Sequence, residues 1–429
     1  MTIKNDPSIK DLWFYGLIAM PIAFAGFPLY ILAPDYYSTH YGLSLSFLGG
    51  LLLILRLLDA LQDPFIGTLS DRYRQFYLWY ISLSAILLCI SIFLLFNKPI
   101  SVNASLWFVL SMTLAVTSYS ILAININSVG ALWHHLPYHQ TRISTVREAC
   151  SLMGLLIAVS LPSFLDHFIE KQYKFTVFSL ILSIFMLCSW CFFVYWYRSN
   201  AHILDKPQKK SWTHPFQTLK HTPTIMIQFF ALCAINMISS AIPAILIIFF
   251  VRDLLHAESQ LGLFLFIYFL SAALSMPIWN GSSNKIGNEK SWFLAMGLGI
   301  TSFIWAFWLK SGDGFYFIII CIASGMSFGA DIAFPPTLLA KQIHKYRLQS
   351  YISTYYSGLT FLSKLSLAIS SAFVLPLLDM FDFTPGSHQN SDQALLALSI
   401  TYAIIPCLMK LIALLMLYRF FIQQKKGLL

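Results

Sequence analysis

Asp59 and Asp63 stand about one helical turn apart inside a long apolar run, with Arg56 three residues before the first and Gln62 next to the second. In a helix, positions 56, 59 and 63 share one face. Two carboxylates so placed, with an amide oxygen beside them, supply hard oxygen ligands for a small cation. They can also share a proton, because neighbouring carboxylates in a low dielectric resist double ionisation. Arg56 would neutralise Asp59 in the absence of a cation, so the group changes charge with occupancy. The plainer reading is an ion pair that only locks this helix to a neighbour; two acids on one face favour chemistry.

Other ionisable residues interrupt apolar runs further along the chain. Lys364 reads as a structural counter-ion for Asp331 or Asp59, or as part of a substrate or coupling site. Asp331 stays open between lining a cavity and pairing with a lysine, and Lys410 reads as snorkelling or paired. Arg147 and Glu148 open another run. Thr113, Thr117, Ser120 and Asn127 recur at near-helical spacing, with Tyr119 and Asn125 beside them. Such groups glue helices or line a cavity, and the two asparagines tilt the reading toward a cavity.

The elements that must position these groups are membrane spans. Of 429 residues, 58% are hydrophobic and 10% charged, against about a quarter charged in a soluble domain. A two-domain soluble enzyme, a disordered regulator and a disulfide scaffold are excluded. Twelve runs are long enough to span: 12–32, 45–66, 77–96, 106–129, 146–165, 175–197, 223–251, 261–279, 292–309, 315–339, 352–378 and 394–418. With both termini placed inside, nineteen of the 27 Lys and Arg residues fall on inner segments and five on outer loops. The net charge of +9 therefore reflects topology rather than a nucleic-acid partner. The first run reads as a retained helix, not a cleaved leader. The seven cysteines all lie in apolar runs and read as core residues. The loop holding His134, His135 and His139 reads as solvated, with no carboxylate or thiol partner nearby and hence no metal site.

The predicted fold is all-α, with twelve transmembrane helices in two pseudo-symmetric six-helix bundles. The first bundle is 1–197 and the second 223–429. Between them, 198–222 is a basic linker carrying Lys206, Lys209 and Lys210. An internal echo supports the halves. Asp63-Pro64 through Asp71-Arg72 returns 213 positions later as Met276-Pro277 through Asn284-Lys285, with Ser70 answered by Ser283. The two loops, with Asp71, Arg72 and Lys285, are expected to act as cytoplasmic latches that pair charges in one state and release them in the other.

The stretch Arg56-Leu57-Leu58-Asp59-Ala60-Leu61-Gln62-Asp63-Pro64-Phe65-Ile66-Gly67, followed by Asp71-Arg72, resembles the glycoside–pentoside–hexuronide:cation symporter family of the major facilitator superfamily. The resemblance implies that Asp59 and Asp63 bind Na⁺, Li⁺ or H⁺, with Gln62 replacing an asparagine. It implies a hydroxyl ligand at Ser120, after the matching Tyr119, a lysine near the cation at Lys364, and a matching arginine at Arg147. The sugar-recognising acids of the family fall at Ala23 and Ala123, and its aromatic falls at Asn127, so the sugar grip is not reproduced.

The expectation is a cation-coupled symporter of a small organic solute, sugar-like or anionic/amphiphilic, working by alternating access. A proton-driven exporter, or a lipid or lysolipid transporter of the same fold, is the alternative; a non-transporting sensor or scaffold is the reading from a different class. No nucleophile–base arrangement suggests an enzyme. No cofactor beyond the coupling ion is expected. The expected setting is a bacterial inner membrane, as a monomer with both termini cytoplasmic.

Overall fold

A computed structural model of the chain describes residues 6–27, 29, 32–43, 45–97, 103–134, 136–165, 170, 173–204, 222–386 and 390–423. Most of the expected linker, including Lys206, Lys209 and Lys210, lies outside the described residues, as does His135. Among the described residues every regular element is helical.

The elements are α1 (Ile9–Gly16), α2 (Ala19–Phe27), α3 (Ala33–Tyr41), α4 (Leu45–Arg72), α5 (Tyr77–Phe96), α6 (Ala104–Trp133), α7 (Pro137–Leu165) and α8 (Lys174–Leu204). They continue with α9 (Thr224–Phe249), α10 (Leu261–Ile286), α11 (Asn288–Phe303), α12 (Gly314–Lys345), α13 (Ile352–Asp379), α14 (Asp392–Ser399) and α15 (Ile405–Leu417). Among the described residues, 11 helical segments are long and apolar enough to cross a membrane. The remaining expected span is α4, 28 residues long and about 42 Å at the helical rise, with Arg56, Asp59 and Asp63 along it.

In two of the expected spans a change of helix falls beside a proline. The first divides into α1 and α2 because Pro21 has no N–H for the Leu17 carbonyl. The last contains a π-helical turn, Ile400–Ile404, between α14 and α15, where Pro406 offers no N–H to the Tyr402 carbonyl.

The chain divides into two compact units. The first takes residues up to 221 together with Leu339–Phe361; the second takes Thr222–Leu338 and Leu362–Leu429. The boundary at 221/222 falls within the expected linker, but the end of α12 and the start of α13 group with the first unit. In that unit α5 runs against α6, α2 against α7 and α4 against α6. Tyr15, Trp133, Phe193 and Trp196 form its aromatic core, Trp133 meeting Trp196 edge-on at 4.6 Å. In the second unit α9 and α11 pack on α15, and Phe250 stacks on Tyr402 at 4.0 Å.

α4 is apolar outward and polar inward, as a membrane solvent requires. Ile54, Leu57, Leu58, Leu61, Phe65 and Leu69 form an exposed stripe at helical spacing. Asp59, Asp63, Gly67 and Ser70 lie on the buried side.

Candidate functional site

Ser120 and Gln62 both donate to the Asp59 side chain. Ser120 Oγ on α6 donates to Asp59 Oδ1 at 2.9 Å, and Gln62 Nε2 donates to the same oxygen at 2.9 Å. Gln62 Oε1 in turn accepts from Thr117 Oγ1 at 3.0 Å. Asp59 is 2% exposed and Asp63 fully buried. A buried carboxylate is stable only where donors or a counter-charge replace its hydration. Spacing explains the assembly: 59, 62 and 63 share one face of α4, while 117 and 120 share one face of α6. Pro64 follows directly and removes the helical donor to the Ala60 carbonyl, leaving another backbone oxygen one turn from Asp63 without its intrahelical partner.

The expected common face of 56, 59 and 63 is not uniform in depth. The Arg56 side chain is exposed, whereas both aspartates are buried. Tyr119 faces α2, where a Cβ built on Gly26 would meet its ring at 3.9 Å. Asn125 and Asn127 turn their amide N–H groups back to the carbonyls of Ile121 and Ala123. Arg147 is buried and pairs with its neighbour Glu148, Nε to Oε1 at 3.1 Å, with Ser144 Oγ at 3.4 Å. Its charge is thus met locally.

A second ionisable group lies in the other unit, on four helices. Lys410 Nζ on α15 is 2.5 Å from Asp331 Oδ2 on α12 and 3.1 Å from Asn236 Oδ1 on α9. Asp331 Oδ1 accepts from Trp292 Nε1 of α11 at 2.9 Å and from Asn236 Nδ2 at 3.2 Å. This decides the open reading of Asp331 in favour of a lysine partner, and that lysine is Lys410 rather than Lys364. Lys364 sits partly buried on α13. Asn236 and Trp292 were missed by the sequence reading; the signal for Asn236 was a lone amide within Leu232–Phe249, an otherwise strongly apolar stretch.

The loop after α4 differs from the expectation of charge pairs at Asp71 and Arg72. Asp71 is buried and caps the start of α13: its Oδ1 accepts from the Ser353 N–H at 2.9 Å, and its Oδ2 from the Thr354 N–H at 2.8 Å and Thr354 Oγ1 at 2.7 Å. These are first-turn amides, which have no intrahelical acceptor and sit at the positive end of the helix dipole. The basic partner of Asp71 is Arg74, at 3.5 Å, which also donates to the Gln349 carbonyl. Tyr77 Oη meets Ser353 Oγ at 2.6 Å. Arg72 is exposed with its guanidinium 5.2 Å from the Tyr73 ring centroid, and Lys285 is exposed at the end of α10.

The histidine loop is also corrected. His139 is buried in the first turns of α7, and its Nε2 lies 3.0 Å from Asp6 Oδ1. The carboxylate comes from the N-terminal segment, far away in sequence.

Similar proteins carry the same architecture. An uncharacterized symporter of Bacillus subtilis (strain 168), YnaJ, is 23% identical over 96% of this chain and 91% of its own length. A glucuronide carrier protein homolog of Escherichia coli (strain K12) is 23% identical over 69% of this chain and 66% of its own. Among solved structures, a bacterial homologue of the iron transporter ferroportin in an outward-facing state superposes with a TM-score of 0.69 at 14% identity, covering 96% of this chain and 98% of that one. The major facilitator superfamily proton:xylose symporter XylE, bound to 6-bromo-6-deoxy-D-glucose, gives 0.68 at 13% identity, covering 96% and 95%. These likenesses establish the major facilitator fold. Residues 14–424 match a family described as MFS/sugar transport protein, so the chain is a multi-pass membrane transporter, not an enzyme, and belongs to that family.

Proposed function

We propose that the chain is a symporter in which a cation, Na⁺ or H⁺, binds at Asp59 and Asp63 and drives a sugar-like solute by alternating access. The observation that carries this reading is the pair of buried carboxylates on the inward side of α4, one of them held by two groups able to reverse their role. Ser120 donates its proton to Asp59; rotated, the hydroxyl offers a lone pair instead. The Gln62 amide can likewise turn its oxygen toward the site. Together with the two carboxylates and the Ala60 carbonyl they make a hard-oxygen set. Filling it removes negative charge from α4, and each ligand must then bind more tightly when the other is present.

The sugar-like solute rests on relatives named as a glucuronide carrier homolog and, over a short 17% of this chain at 35% identity, a putative glycoside/cation symporter of Escherichia coli (strain K12). An anionic solute is less supported, because Glu148 already meets the charge of Arg147. The Asp71 cap on α13 is the gating contact in this scheme, made and broken once per cycle, with Arg72 and Lys285 flanking the two related loops. The setting is a bacterial inner membrane, with both termini cytoplasmic and the protein monomeric.

Uptake into proteoliposomes with imposed Na⁺ or pH gradients tests the proposal. Asp63→Asn should abolish gradient-driven uptake while the protein still elutes as a folded species. Full gradient dependence in that variant would remove the site from the mechanism.

A further inference from the structure

On the outer surface of the first unit an open groove of about 520 Å³ runs between α5 and α8. Its walls are Trp79, Leu83, Ile86, Trp190 and Val194, and its rim at one end is Gln75 and Arg198. The rim lies where α5 begins and α8 approaches its end, beside the Asp71–Arg74 loop and the residues leading to the basic linker. From there the apolar walls extend along Trp79 to Ile86 and back from Arg198 to Trp190. At the helical rise these are lengths of about 10 and 12 Å.

We infer that this groove binds an anionic phospholipid, with the phosphate at Arg198 and Gln75 and one acyl chain laid between the helices. Three observations support this assignment. Arg198 is exposed, and among the described residues no carboxylate pairs with it; Arg74, by contrast, is committed to Asp71 and the Gln349 carbonyl. The polar edge of Trp190 is already satisfied, its Nε1 donating to Ser82 Oγ at 2.9 Å, so the indole offers the groove an apolar face. Trp79 is 68% exposed and lies near the start of the span 74–96, where amphipathic rings are enriched in membrane proteins. A cationic head over an apolar trough matches a lipid of one negative charge, whereas a zwitterionic lipid would bring its own ammonium beside Arg198 along with its phosphate. This inference goes beyond symport and stands whether or not Asp59 and Asp63 bind a cation.

Native mass spectrometry of the whole protein released from nanodiscs tests it, using phosphatidylglycerol and phosphatidylcholine of the same chains in equal amounts. The wild type should retain phosphatidylglycerol in preference. Arg198→Gln should lower that preference about fivefold, the ratio corresponding to one basic residue at an anionic surface. Val194→Trp, which fills the trough and keeps the arginine, should lower retention of both lipids. Lys290→Gln, at an exposed lysine on α11, should change neither. Equal retention of the two lipids by the wild type, or unchanged retention in Arg198→Gln and Val194→Trp, would overturn the assignment. A dimer mass without lipid adducts would also overturn it, since a second copy would then fill the groove. Should Arg198→Gln fail to elute as a folded species, Val194→Trp decides alone.

Discussion

Replacing Lys410 by methionine keeps the length and apolar stem of the side chain and deletes its charge. Asp331 then keeps only two neutral donors, Trp292 Nε1 at 2.9 Å and Asn236 Nδ2 at 3.2 Å, in a site where the aspartate is 9% exposed. Removing one partner of a buried ion pair leaves an uncompensated charge and costs about 3–5 kcal/mol. For a unit of roughly 200 residues, each kcal/mol moves the melting temperature by about 2–4 °C, so a fall on the order of 10 °C is expected. The double variant Asp331→Asn/Lys410→Met removes both charges and keeps an oxygen for Trp292. It should recover most of that loss, because a buried pair is close to neutral against an uncharged replacement. Thermal unfolding followed by tryptophan fluorescence in one detergent reads all three proteins. A Lys410→Met variant melting within about 3 °C of the wild type, or a double variant no more stable than the single one, would refute the reasoning.

Ser120→Ala removes one donor to Asp59 and should weaken apparent cation affinity by about fivefold, from about 1 kcal/mol per lost hydrogen bond, with maximal uptake retained; titrating uptake against Na⁺ or H⁺ checks it. Thr117→Val, which removes the donor to Gln62 Oε1, should act in the same direction by less. Asp71→Ala deletes the cap of α13 and should cost about 0.5–2 kcal/mol. Its signature is faster hydrogen exchange at the Ser353 and Thr354 amides, and unchanged protection there would count against the cap.

The class of fold was legible because bilayer physics writes it plainly: long apolar runs, basic inner loops and two related halves. The placing of Gln62 beside Asp59 was legible for a similar reason, since helical spacing alone brings 59 and 62 together, whereas Ser120 joined them only through the resemblance to the symporter family. What pairs across distant sequence was not legible. Lys364 and Lys410 both offered Asp331 a positive charge, and only the folded structure, which brings Lys410 Nζ to Asp331 Oδ2, selects between them. Asp71 was read as part of a charge-pairing latch. It does pair with Arg74, but its shortest contacts are to Thr354 Oγ1 and two backbone amides some 280 positions away, and amides carry no signature in residue type. The break between α1 and α2 was readable from Pro21, but a uniformly apolar run hid it.

The close packing of α2 on α7 has a practical consequence for anyone stabilising this transporter. Helical glycines are common targets for alanine replacement, which ordinarily gains up to about 1 kcal/mol. At Gly154 the added methyl would lie 2.0 Å from the Met20 carbonyl oxygen, and at Gly325 2.4 Å from that of Tyr268, so the two backbones would have to be wedged apart. Gly281 and Gly297 have open space where the methyl would go, and they are among the positions where the same edit should raise the yield of intact protein.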